Sequence, residues 1–444
     1  MKTYDNLKDS GIKWVGEIPE HWVVKKLKFI GTFTASGIDK KIEPDEPLVQ
    51  IINYTDVYGN TSHCLVKREY MVVSTTQSKI KEHQVVIGDL LFTPSSETIQ
   101  DIGVSALVVE EMPNTAYSYH ILRFRFQKEI YLKYRKYLCN NHYVLNYFSS
   151  LAEGTTRKIL GRDEFNNTFV VLPSLQEQIA IANYLDTKTT EIDQTIANKE
   201  ALINLFEEEK KALINEAVTK GLNPTVKLKQ SGVDWLGDIP EHWEVKKLKY
   251  LVDKIGSGVT PRGGSDVYEL EGIPLLRSQN IYNDGLRLED VAFITEETHN
   301  LMKGSKVKLN DILLNITGAS LGRCYYFNGS LKEANVNQHV CIIRVNEKVN
   351  FHFLRFCIIS DFIEKQIENS YTGSGREGLS NENLNNFYFG IPPLKEQTAI
   401  VKFIETETGK ITDKINLTKQ EIELLKEYRQ ALIFEAVTGK ICVV

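Results

Sequence analysis

The 444-residue sequence lacks long apolar runs, paired cysteines and a strong net charge. No uninterrupted apolar stretch approaches the ~20 residues that a membrane-spanning helix requires, so we expect no membrane partner. The first ten residues, MKTYDNLKDS, contain no apolar segment, and we therefore expect no secretory signal. The six cysteines occur singly, without a CxxC pair. This pattern favours reduced thiols in a cytoplasmic protein over disulfides or a zinc site.

Common signatures of catalysis are also missing from the sequence. The segment Gly256–Gly264, GSGVTPRGG, lacks the lysine of a phosphate-binding loop. We find no dinucleotide-binding glycine fingerprint and no Asp/Asn-Pro-Pro-Tyr/Phe motif for methylation of a base amino group. His120 and His339 correspond to each other, but neither has a nearby set of metal-ligand residue types. We therefore predict that the chain is not an enzyme and binds no metal or cofactor itself.

The charge balance does not by itself indicate a nucleic-acid-binding protein. The net charge is −5, and most of the negative excess lies in the segment 173–221. Any contact with DNA must therefore come from a local group of lysines and arginines, or from a partner that adds basic surface. With 42% hydrophobic residues, the chain has the composition of a globular protein with ample material for its cores.

The dominant positive feature is an internal repeat. Sixteen of 22 positions are identical between Leu7–Lys28 and Leu228–Lys249, which both contain Trp-Gly-x-Ile-Pro-Glu-His-Trp. Near the end of each copy, Leu175–Gln178 recurs as Leu394–Gln397, and Glu216-Ala-Val-Thr recurs at residue 435. The interiors of the two copies differ almost completely. Two copies with similar ends and dissimilar interiors predict a protein that recognises an asymmetric target through two sites.

Each copy ends in a long segment with the periodicity of a coiled coil. Heptad steps define one seam in 173–221 and a matching seam 219 residues later in 392–444. Six of eight seam positions are apolar in both copies, and the polar ones coincide: Lys199 with Thr418, and Lys210 with Arg429. The predicted helix-pairing residues are Ile192, Ile196, Ile203, Phe206 and Leu213 in the first helix, and Ile411, Ile415, Ile422, Leu425 and Leu432 in the second. The alternative is that each helix packs only on its own domain.

The predicted fold class is α+β, with a pseudo-two-fold internal repeat. Two mixed α/β domains, 1–172 and 222–391, are separated by two long antiparallel coiled-coil helices, 173–221 and 392–444. If the helices pair in this way, we expect the chain end to lie near the chain start and the domains to lie at opposite ends of a rod. Strands are predicted from Val-, Ile-, Phe- and Tyr-rich segments. These are Pro47–Tyr54, Gln84–Thr93, His120–Phe126, Ile273–Arg277, Asp311–Thr317 and Gln338–Val345.

Aromatic-rich helical stretches are predicted at Ile130–Ser150 and Phe351–Asn369. Since His21 and His242 repeat within an aromatic block, we interpret them as packing residues between the two tryptophans rather than general bases. The repeated lysines that follow this block are interpreted as a solvated helix face, with a phosphate contact as the alternative. They are Lys25, Lys26, Lys28, Lys246, Lys247 and Lys249.

The candidate binding residues lie in loops of small or polar residues, where the backbone and an arginine can approach a phosphate or a guanine edge. Arg157 corresponds to Arg376 at an offset of 219, and both precede a long helix. A solvated polar loop is the alternative interpretation for each candidate. The candidates are Thr156, Arg157, Lys158, Ser374, Arg376, Arg262, Arg277, Ser278, Gln279, Asn280, Thr317, Ser320, Arg323, Lys40, Lys41, Asn53, Tyr54, Ser95 and Ser96.

With these residues assembled, the chain resembles the specificity subunits of type I restriction–modification systems over nearly its whole length. The residues that carry the resemblance are Trp14, Trp22, Trp235 and Trp243, the segments Gly88–Phe92, Asn310–Leu314 and Thr317–Gly322, and the Leu-x-Glu-Gln helix starts. One departure is that Thr93–Val104 lacks a counterpart to the Thr317–Gly322 loop.

The resemblance implies two target-recognition domains that each read one half of a split sequence in double-stranded DNA, with the helices setting the gap. It also implies two methyltransferase subunits, which use S-adenosylmethionine to methylate adenine N6 and extrude the target base. Endonuclease/translocase subunits would cut unmodified DNA with ATP and Mg²⁺. The alternative function is a coiled-coil scaffold whose domains bind proteins or glycans, and an independent nuclease or methyltransferase has the least support.

Overall fold

A computed structural model describes residues 3–99, 101–370 and 378–443, and the chain divides into two compact units. Unit 1 contains Met1–Lys199 and Lys419–Val444, whereas unit 2 contains Glu200–Thr418. The boundary between the units falls within both long helices, so each unit holds one globular domain and one segment of each helix. Within the described residues the six cysteines form no disulfide, and no helix there is long and apolar enough to cross a membrane.

Unit 1 is built on a five-stranded sheet in the order β4-β12-β8-β10-β6, with a three-stranded sheet β11-β5-β7 beside it. Its strands are β1 Leu7–Asp9, β2 Glu17–Pro19, β3 Val23–Lys26, β4 Gly31–Ala35, β5 Leu48–Ile52, β6 Cys64–Leu65, β7 Met71–Ser74, β8 Leu90–Phe92, β9 Ser95–Ser96, β10 Ser105–Val108, β11 Thr115–Tyr117, β12 Leu122–Phe126, β13 Lys158–Ile159 and β14 Phe169–Leu172. Its helices are α1 Tyr54–Tyr58, α2 Gln77–His83, α3 Arg135–Cys139, α4 His142–Leu151, α5 Arg162–Asn167 and the first part of α6 Leu175–Lys220.

Unit 2 repeats this plan with a four-stranded sheet β18-β26-β23-β24 and a three-stranded sheet β22-β19-β25. Its strands are β15 Leu228–Gln230, β16 Asp238–Pro240, β17 Glu244–Lys247, β18 Val252–Ser257, β19 Ile273–Leu276, β20 Ile281–Tyr282, β21 Gly285–Leu286, β22 Ala292–Ile294, β23 Ile312–Asn315, β24 Cys324–Tyr326, β25 Asn335–Val336, β26 Val340–Val345 and β27 Tyr388–Ile391. Its helices are α7 Glu296–Leu301, α8 Phe351–Ile358, α9 Asp361–Asn369, α10 Asn381–Asn385 and the first part of α11 Leu394–Val437.

The six predicted strand segments all contain strands, with shorter ends than predicted. Both aromatic-rich stretches are helical as predicted, and each is divided into two α-helices, α3 and α4 in unit 1 and α8 and α9 in unit 2. In unit 1 the break falls at Asn140 and Asn141. Asn140 exchanges hydrogen bonds with the backbone of Ser105, and Asn141 caps α4 by accepting the Val144 N–H at 3.2 Å. These side chains compete with the helix for backbone partners and end it.

The repeated ends of each copy meet in the fold. Trp22 is fully buried, and its indole N–H donates to the Glu177 carboxylate at 3.0 Å. In unit 2, Trp243 donates to Glu396 at 3.1 Å, so the Pro-Glu-His-Trp block is bonded to the first turn of the following helix in both units. Burial opposes ionisation of Glu177, but hydrogen bonds from Trp22, Ser174 and His21 outweigh it and lower the pKa of this carboxyl to about 2.

The expected roles of the repeated histidines and lysines were partly wrong. His21 is not enclosed between two tryptophans, because its side chain is 56% exposed and its Nε2 lies 2.9 Å from Glu177 Oε1. Four of the six lysines do not lie on a helix face, because the chain is extended where β3 pairs antiparallel with β14 and β17 pairs with β27. The other two, Lys28 and Lys249, lie in single 3-10 turns that follow β3 and β17. Lys26 and Lys28 contact Asn167 at 3.3 and 3.1 Å.

The two long helices pair in antiparallel fashion within each unit. In unit 1, Lys199 Nζ lies 2.7 Å from Glu421 Oε2, and Arg429 Nε lies 2.9 Å from Asp193 Oδ1. In unit 2, Lys210 Nζ donates to Thr412 Oγ1 at 3.3 Å. In each case a polar seam residue of one helix bonds to a flanking residue of the other. Such bonds define the register, because a shifted pairing would leave the charged group without its partner.

Apolar seam residues fill the spaces between these polar contacts. The ten predicted helix-pairing residues are all buried or half-buried, whereas most other positions in these stretches are exposed. The first turns of each helix instead pack on the domain that precedes it: Ile181 and Leu185 join the core of unit 1, and Ile400 and Ile404 join the core of unit 2. Each helix therefore packs first on its own domain and then on the other helix.

The C-terminal end of α11 closes the core of unit 1. Leu432, Ala436 and Ile441 belong to the same buried cluster as Trp22. Beyond the helix, Lys440 Nζ donates to the Glu17 carbonyl at 2.6 Å, which confirms that the chain end lies near the chain start. Gly439 has φ +72°, and an added Cβ there would clash with Pro19, so this turn requires glycine.

Candidate nucleic-acid interface

In unit 1 the first candidate residues lie where strand β5 ends. Asn53 follows β5 and precedes α1, and Tyr54 begins that helix. The guanidinium of Arg157 lies over the Tyr54 ring, 5.8 Å from its centroid, and the Tyr58 ring stacks on Tyr54 with a centroid distance of 5.3 Å. Arg157 is exposed and makes no hydrogen bond or ion pair through its side chain to the described residues. The structure therefore presents a cation supported on an aromatic face.

The candidate residues near Arg157 differ in the solvent exposure of their side chains. Ser96 is 2% exposed and Ser95 is 9% exposed, because β9 pairs with β13 through Ser96 and Lys158. Lys158 Nζ donates to the Gly154 carbonyl at 2.6 Å, and this hydrogen bond joins the two ends of the loop that contains Thr156 and Arg157. The serines hold this loop in place rather than face a partner.

Lys40 and His120 belong to the same surface. Burial lowers the pKa of His120, and the positive charges of Arg157 and Lys40 lower it further. His120 is therefore a neutral imidazole at pH 7, with one donor and one acceptor nitrogen. The neighbouring Lys41 is exposed and lies 4.0 Å from Asp39.

In unit 2 the equivalent strand end carries Arg277, Ser278, Gln279 and Asn280. Asn280 is 1% exposed, and its amide donates to the carbonyls of Arg287 and Asp290, so it stabilises the turn and is not presented to a ligand. Gln279 donates to Asp290 at 2.7 Å from an exposed position. Arg277 lies over the Tyr268 ring at 5.7 Å, and its buried Nε has no partner among the described residues.

Thr317 lies at the end of the central strand β23 and contacts His339. Thr317 Oγ1 is 2.7 Å from His339 Nδ1, and Gln338 Nε2 is 2.9 Å from His339 Nε2. If Gln338 donates to Nε2, the ring proton lies on Nδ1 and bonds to Thr317 Oγ1. The Thr317 hydroxyl proton can then point to a ligand. Arg376 and Ser374 lie outside the described residues.

The remaining candidates of unit 2 lie in two loops. Arg262 is exposed in the loop after β18, and Ser320 is half-buried in the loop after β23. The Ser320 carbonyl accepts the backbone N–H of Arg323 at 3.1 Å. The Arg323 guanidinium lies over the Tyr282 ring, 4.9 Å from its centroid.

The two domains place their candidate loops at the same point of the topology. Ser95 pairs with Ile159 in unit 1, and Thr317 forms a bridge with Gly378 in unit 2. Along the sequence, Ile159 and Gly378 stand two residues after Arg157 and Arg376, so these two bridges occur at equivalent points of the repeat. Ser95 is thus the topological counterpart of Thr317, although the sequence showed no counterpart to the loop that Thr317 begins.

In each unit an ion pair that sequence reasoning missed joins two neighbouring strands at the end opposite to the candidate loops. Asp89 is 1% exposed and accepts two hydrogen bonds from Arg125, at 2.8 and 2.7 Å. Asp311 and Arg344 repeat this bidentate pair at 2.7 and 2.7 Å. The sequence carries a signal for this pair, because both aspartates occupy the second position of the matched segments Gly88–Phe92 and Asn310–Leu314. In the structure, each follows a residue with positive φ.

The matched histidines are the second feature that sequence reasoning undervalued. His120 and His339 precede the central strands β12 and β26, and each lies beside candidate residues of its own unit. The offset of 219 residues between the two histidines is visible in the sequence, but there the residue types around them argue only against a metal site. Among the described residues no group of three or more His, Cys, Asp or Glu could hold a metal ion.

A family model described as Type I restriction modification DNA specificity domain matches residues 19–204 and 240–427. The chain is 25% identical over 441 residues to the putative type I restriction enzyme MjaX specificity subunit of Methanocaldococcus jannaschii, covering 96% of this chain and 95% of that protein.

Two solved structures share the fold. A chain described under "Structural basis underlying complex assembly and conformational transition of the type I R-M system" superposes with a TM-score of 0.71 at 16% identity, over 96% of this chain and 99% of that one. The HsdS subunit from Thermoanaerobacter tengcongensis gives a TM-score of 0.54 at 16% identity, over 98% and 100%. The two matches to this one family model, together with the repeated fold, show that this chain belongs to the family of type I restriction–modification DNA specificity subunits.

Proposed function

We propose that each globular domain reads one half of a bipartite duplex sequence through the strand edge described above. One observation supports this proposal most directly: the two edges occupy the same topological position but carry different side chains. Asn53, Tyr54 and Ser95 of unit 1 stand where unit 2 has Arg277, Ser278 and Thr317, while His120 and His339 are common to both edges. A shared scaffold with different contact residues is what recognition of two unlike half-sites requires.

The chemistry of the unit 1 edge suits base recognition. An arginine fork can donate two hydrogen bonds to O6 and N7 of guanine, and stacking on Tyr54 would restrict the conformations that Arg157 must lose on binding. A neutral His120 can donate to or accept from a base edge without adding charge. Lys40 and Lys41 are exposed and suited to phosphates.

We further propose that the paired helices set the gap between the half-sites and provide docking surfaces for two methyltransferase subunits. These partners would supply S-adenosylmethionine chemistry, and endonuclease/translocase subunits would supply ATP- and Mg²⁺-dependent cleavage. The chain itself would carry no active site. Its net charge of −5 supports this division, because the partners would then provide much of the phosphate contact.

The test is protection of duplex DNA by the chain in complex with its methyltransferase partner, with residues 29–150 exchanged for those of another specificity subunit. The exchange should alter one half-site and leave the other unchanged. A matched exchange of residues 251–369 should alter the opposite half. If neither exchange changes the protected sequence, or if the complex protects no duplex, the proposal fails and a scaffold that binds proteins or glycans becomes the better account.

A further inference from the structure

Unit 2 contains a cavity of about 800 Å³ between its globular domain and its own segments of the two long helices. Both sides of this cavity carry charges of both signs, but Lys210, Lys211, Glu405 and Asp284 each contact another residue of the chain. The residues that matter for the argument are Arg323, Arg355, Tyr282 and Tyr325 on the domain side, and Glu207 and Asp413 on the helix side. Apart from Arg323, none of them belongs to the proposed DNA-reading edge.

Arg355 is a buried cation without a carboxylate partner. It is 8% exposed, its Nη2 donates to the Asn283 carbonyl, and its Nε has no hydrogen-bond partner among the described residues. Its guanidinium lies over the rings of Tyr325 and Phe356, at 4.9 and 5.0 Å. Burying an arginine without a neutralising anion is costly. A cavity beside it offers room for an anion from outside the chain.

The same position in unit 1 is satisfied by the protein itself. Lys136, 219 residues before Arg355, lies with its Nζ 2.7 Å from Asp186 Oδ1. Tyr137 donates its hydroxyl proton to the same carboxylate at 2.8 Å. The repeat therefore contains an internal comparison in which the equivalent cation has its counter-ion.

In unit 2 a different residue occupies each of the three equivalent positions. The counterpart of Asp186 is Glu405, which lies 3.6 Å from His352 Nδ1 and forms no ion pair with Arg355. The counterpart of Tyr137 is Phe356, which has no hydroxyl group. As a result, the second copy of the site keeps the cation but leaves it facing an open cavity.

The domain wall of the cavity also carries stacked aromatic rings. Tyr325 and Tyr326 stack with their centroids 4.6 Å apart and an angle of 27° between the rings. Tyr282 supports Arg323 on its face at 4.9 Å. Tyrosine faces stack on nucleobases, and arginines beside them bind phosphate oxygens.

The helix wall adds hydrogen-bond acceptors. Glu207 and Asp413 line the cavity, and neither makes a hydrogen bond or ion pair with any residue that the structure describes. Two unpaired carboxylates would repel a bare phosphate but can accept hydrogen bonds from ribose hydroxyls. The cavity thus has complementary groups for an aromatic base, a ribose and a phosphate.

We propose that this cavity of unit 2 binds a ribonucleotide. The base stacks on the tyrosine wall, the phosphate binds Arg355 and Arg323, and the ribose hydroxyls donate to Glu207 and Asp413. This function is separate from reading duplex DNA and does not depend on it, since the ligand is a single nucleotide that is not part of a duplex. Unit 1 has no equivalent need for a ligand, because Asp186 already neutralises Lys136.

Calorimetric titration of the full-length chain with AMP, GMP, CMP and UMP tests the proposal. At least one of the four should bind with a Kd below about 1 mM, and dAMP, adenosine and inorganic phosphate should each bind at least tenfold more weakly than AMP if AMP binds. Arg355→Met should weaken nucleotide binding at least tenfold. The matched variant Lys136→Met, at the same position of unit 1, should leave it unchanged.

Because Arg355→Met could disturb folding, a second variant changes only the exposed helix wall. Glu207→Gln with Asp413→Asn should reduce the preference for ribose over deoxyribose while the thermal unfolding midpoint stays constant. Competition by a short single-stranded RNA would identify a strand nucleotide as the source of the ligand, and lack of competition would identify a free nucleotide. The proposal is overturned if none of the four nucleotides binds, or if Lys136→Met weakens binding as much as Arg355→Met.

Discussion

Trp22 and Glu177 stand 155 residues apart in the sequence, yet the indole N–H of one donates to the carboxylate of the other at 3.0 Å. This bond joins the first repeated motif of unit 1 to the first turn of α6. Trp243 and Glu396 repeat it in unit 2 at 3.1 Å. The relation explains why both motifs recur together, since each supplies the hydrogen-bond partner of the other.

Replacing Glu177 by alanine should destabilise unit 1 by about 2 kcal/mol, because the buried indole N–H of Trp22 loses its acceptor. Glu177→Gln keeps an acceptor and should cost about half as much. Urea unfolding followed by tryptophan fluorescence measures both, with Glu396→Ala as the matched change in unit 2. A loss below about 0.5 kcal/mol for Glu177→Ala would contradict the assigned role.

The same carboxyl predicts a pH dependence of stability. Its pKa is lowered from 4.5 to about 2 in the folded state, so its contribution is present above pH 4.5 and is lost as the pH falls from about 4.5 to about 2. We expect a loss of about 2 kcal/mol, less than the full pKa shift implies, because solvent that reaches the exposed His21 screens the interaction.

The control for this pH effect is Glu177→Gln. The difference in unfolding free energy between the natural protein and this variant should shrink over that pH range. Taking the difference removes the contributions of other groups, such as His63, whose pKa is lowered to about 4 by burial. Parallel pH profiles for the two proteins would contradict the prediction.

The ion pair of Lys199 with Glu421 predicts a register-specific rescue. Lys199→Glu should destabilise the helix pair by about 1 kcal/mol, since it places two carboxylates together at a partly exposed site. Adding Glu421→Lys should restore most of the loss in a double-mutant cycle. Glu423→Lys, two residues further along the same helix, should not. Equal rescue by both second changes would show that the pairing is not specific.

A shorter helix pair should shorten the preferred gap between half-sites. Deleting residues 200–206 and 414–420 removes one heptad from each helix, keeps the seam in phase, and leaves Lys199 opposite Glu421. Seven residues span about 10.5 Å of helix, or about three base pairs. Selection of bound duplexes with variable gaps measures the change. The half-site sequences should stay the same, and an unchanged gap preference would refute the role of the helices as a spacer.

Arg157 predicts an effect confined to one half-site. Arg157→Ala should weaken binding of duplex DNA by about 1–3 kcal/mol and relax selectivity at one position of the half-site read by unit 1. Arg162→Ala, an exposed arginine on the nearby helix α5, serves as the charge-matched control and should have a smaller effect. A uniform loss across all sequences would instead assign Arg157 to a phosphate.

The internal repeat and the helix seam can be predicted from the sequence, because their signals are local and occur twice. The offset of 219 to 221 residues predicted two copies, and the heptad positions from Ile192 to Leu213 are the buried or half-buried positions of that helix segment. Hydrophobic periodicity identifies the face of a helix without knowledge of its partner. The position of Arg157 before a long helix was also readable from the repeat.

Other features depended on packing between distant segments. Ser96 and Asn280 are polar loop residues by sequence, but strand pairing and turn hydrogen bonds bury them. The unpaired Arg355 and the satisfied Lys136 occupy equivalent positions, and only their three-dimensional neighbours distinguish them.

The duplicated unit and the apolar seam of each long helix follow from the amino-acid order, because identity and periodicity can be counted along the chain. Only the tertiary fold distinguishes the polar side chains that remain accessible in the candidate loops from those that support the fold. That distinction depends on burial and on hydrogen-bond partners up to hundreds of residues away, which no local pattern encodes.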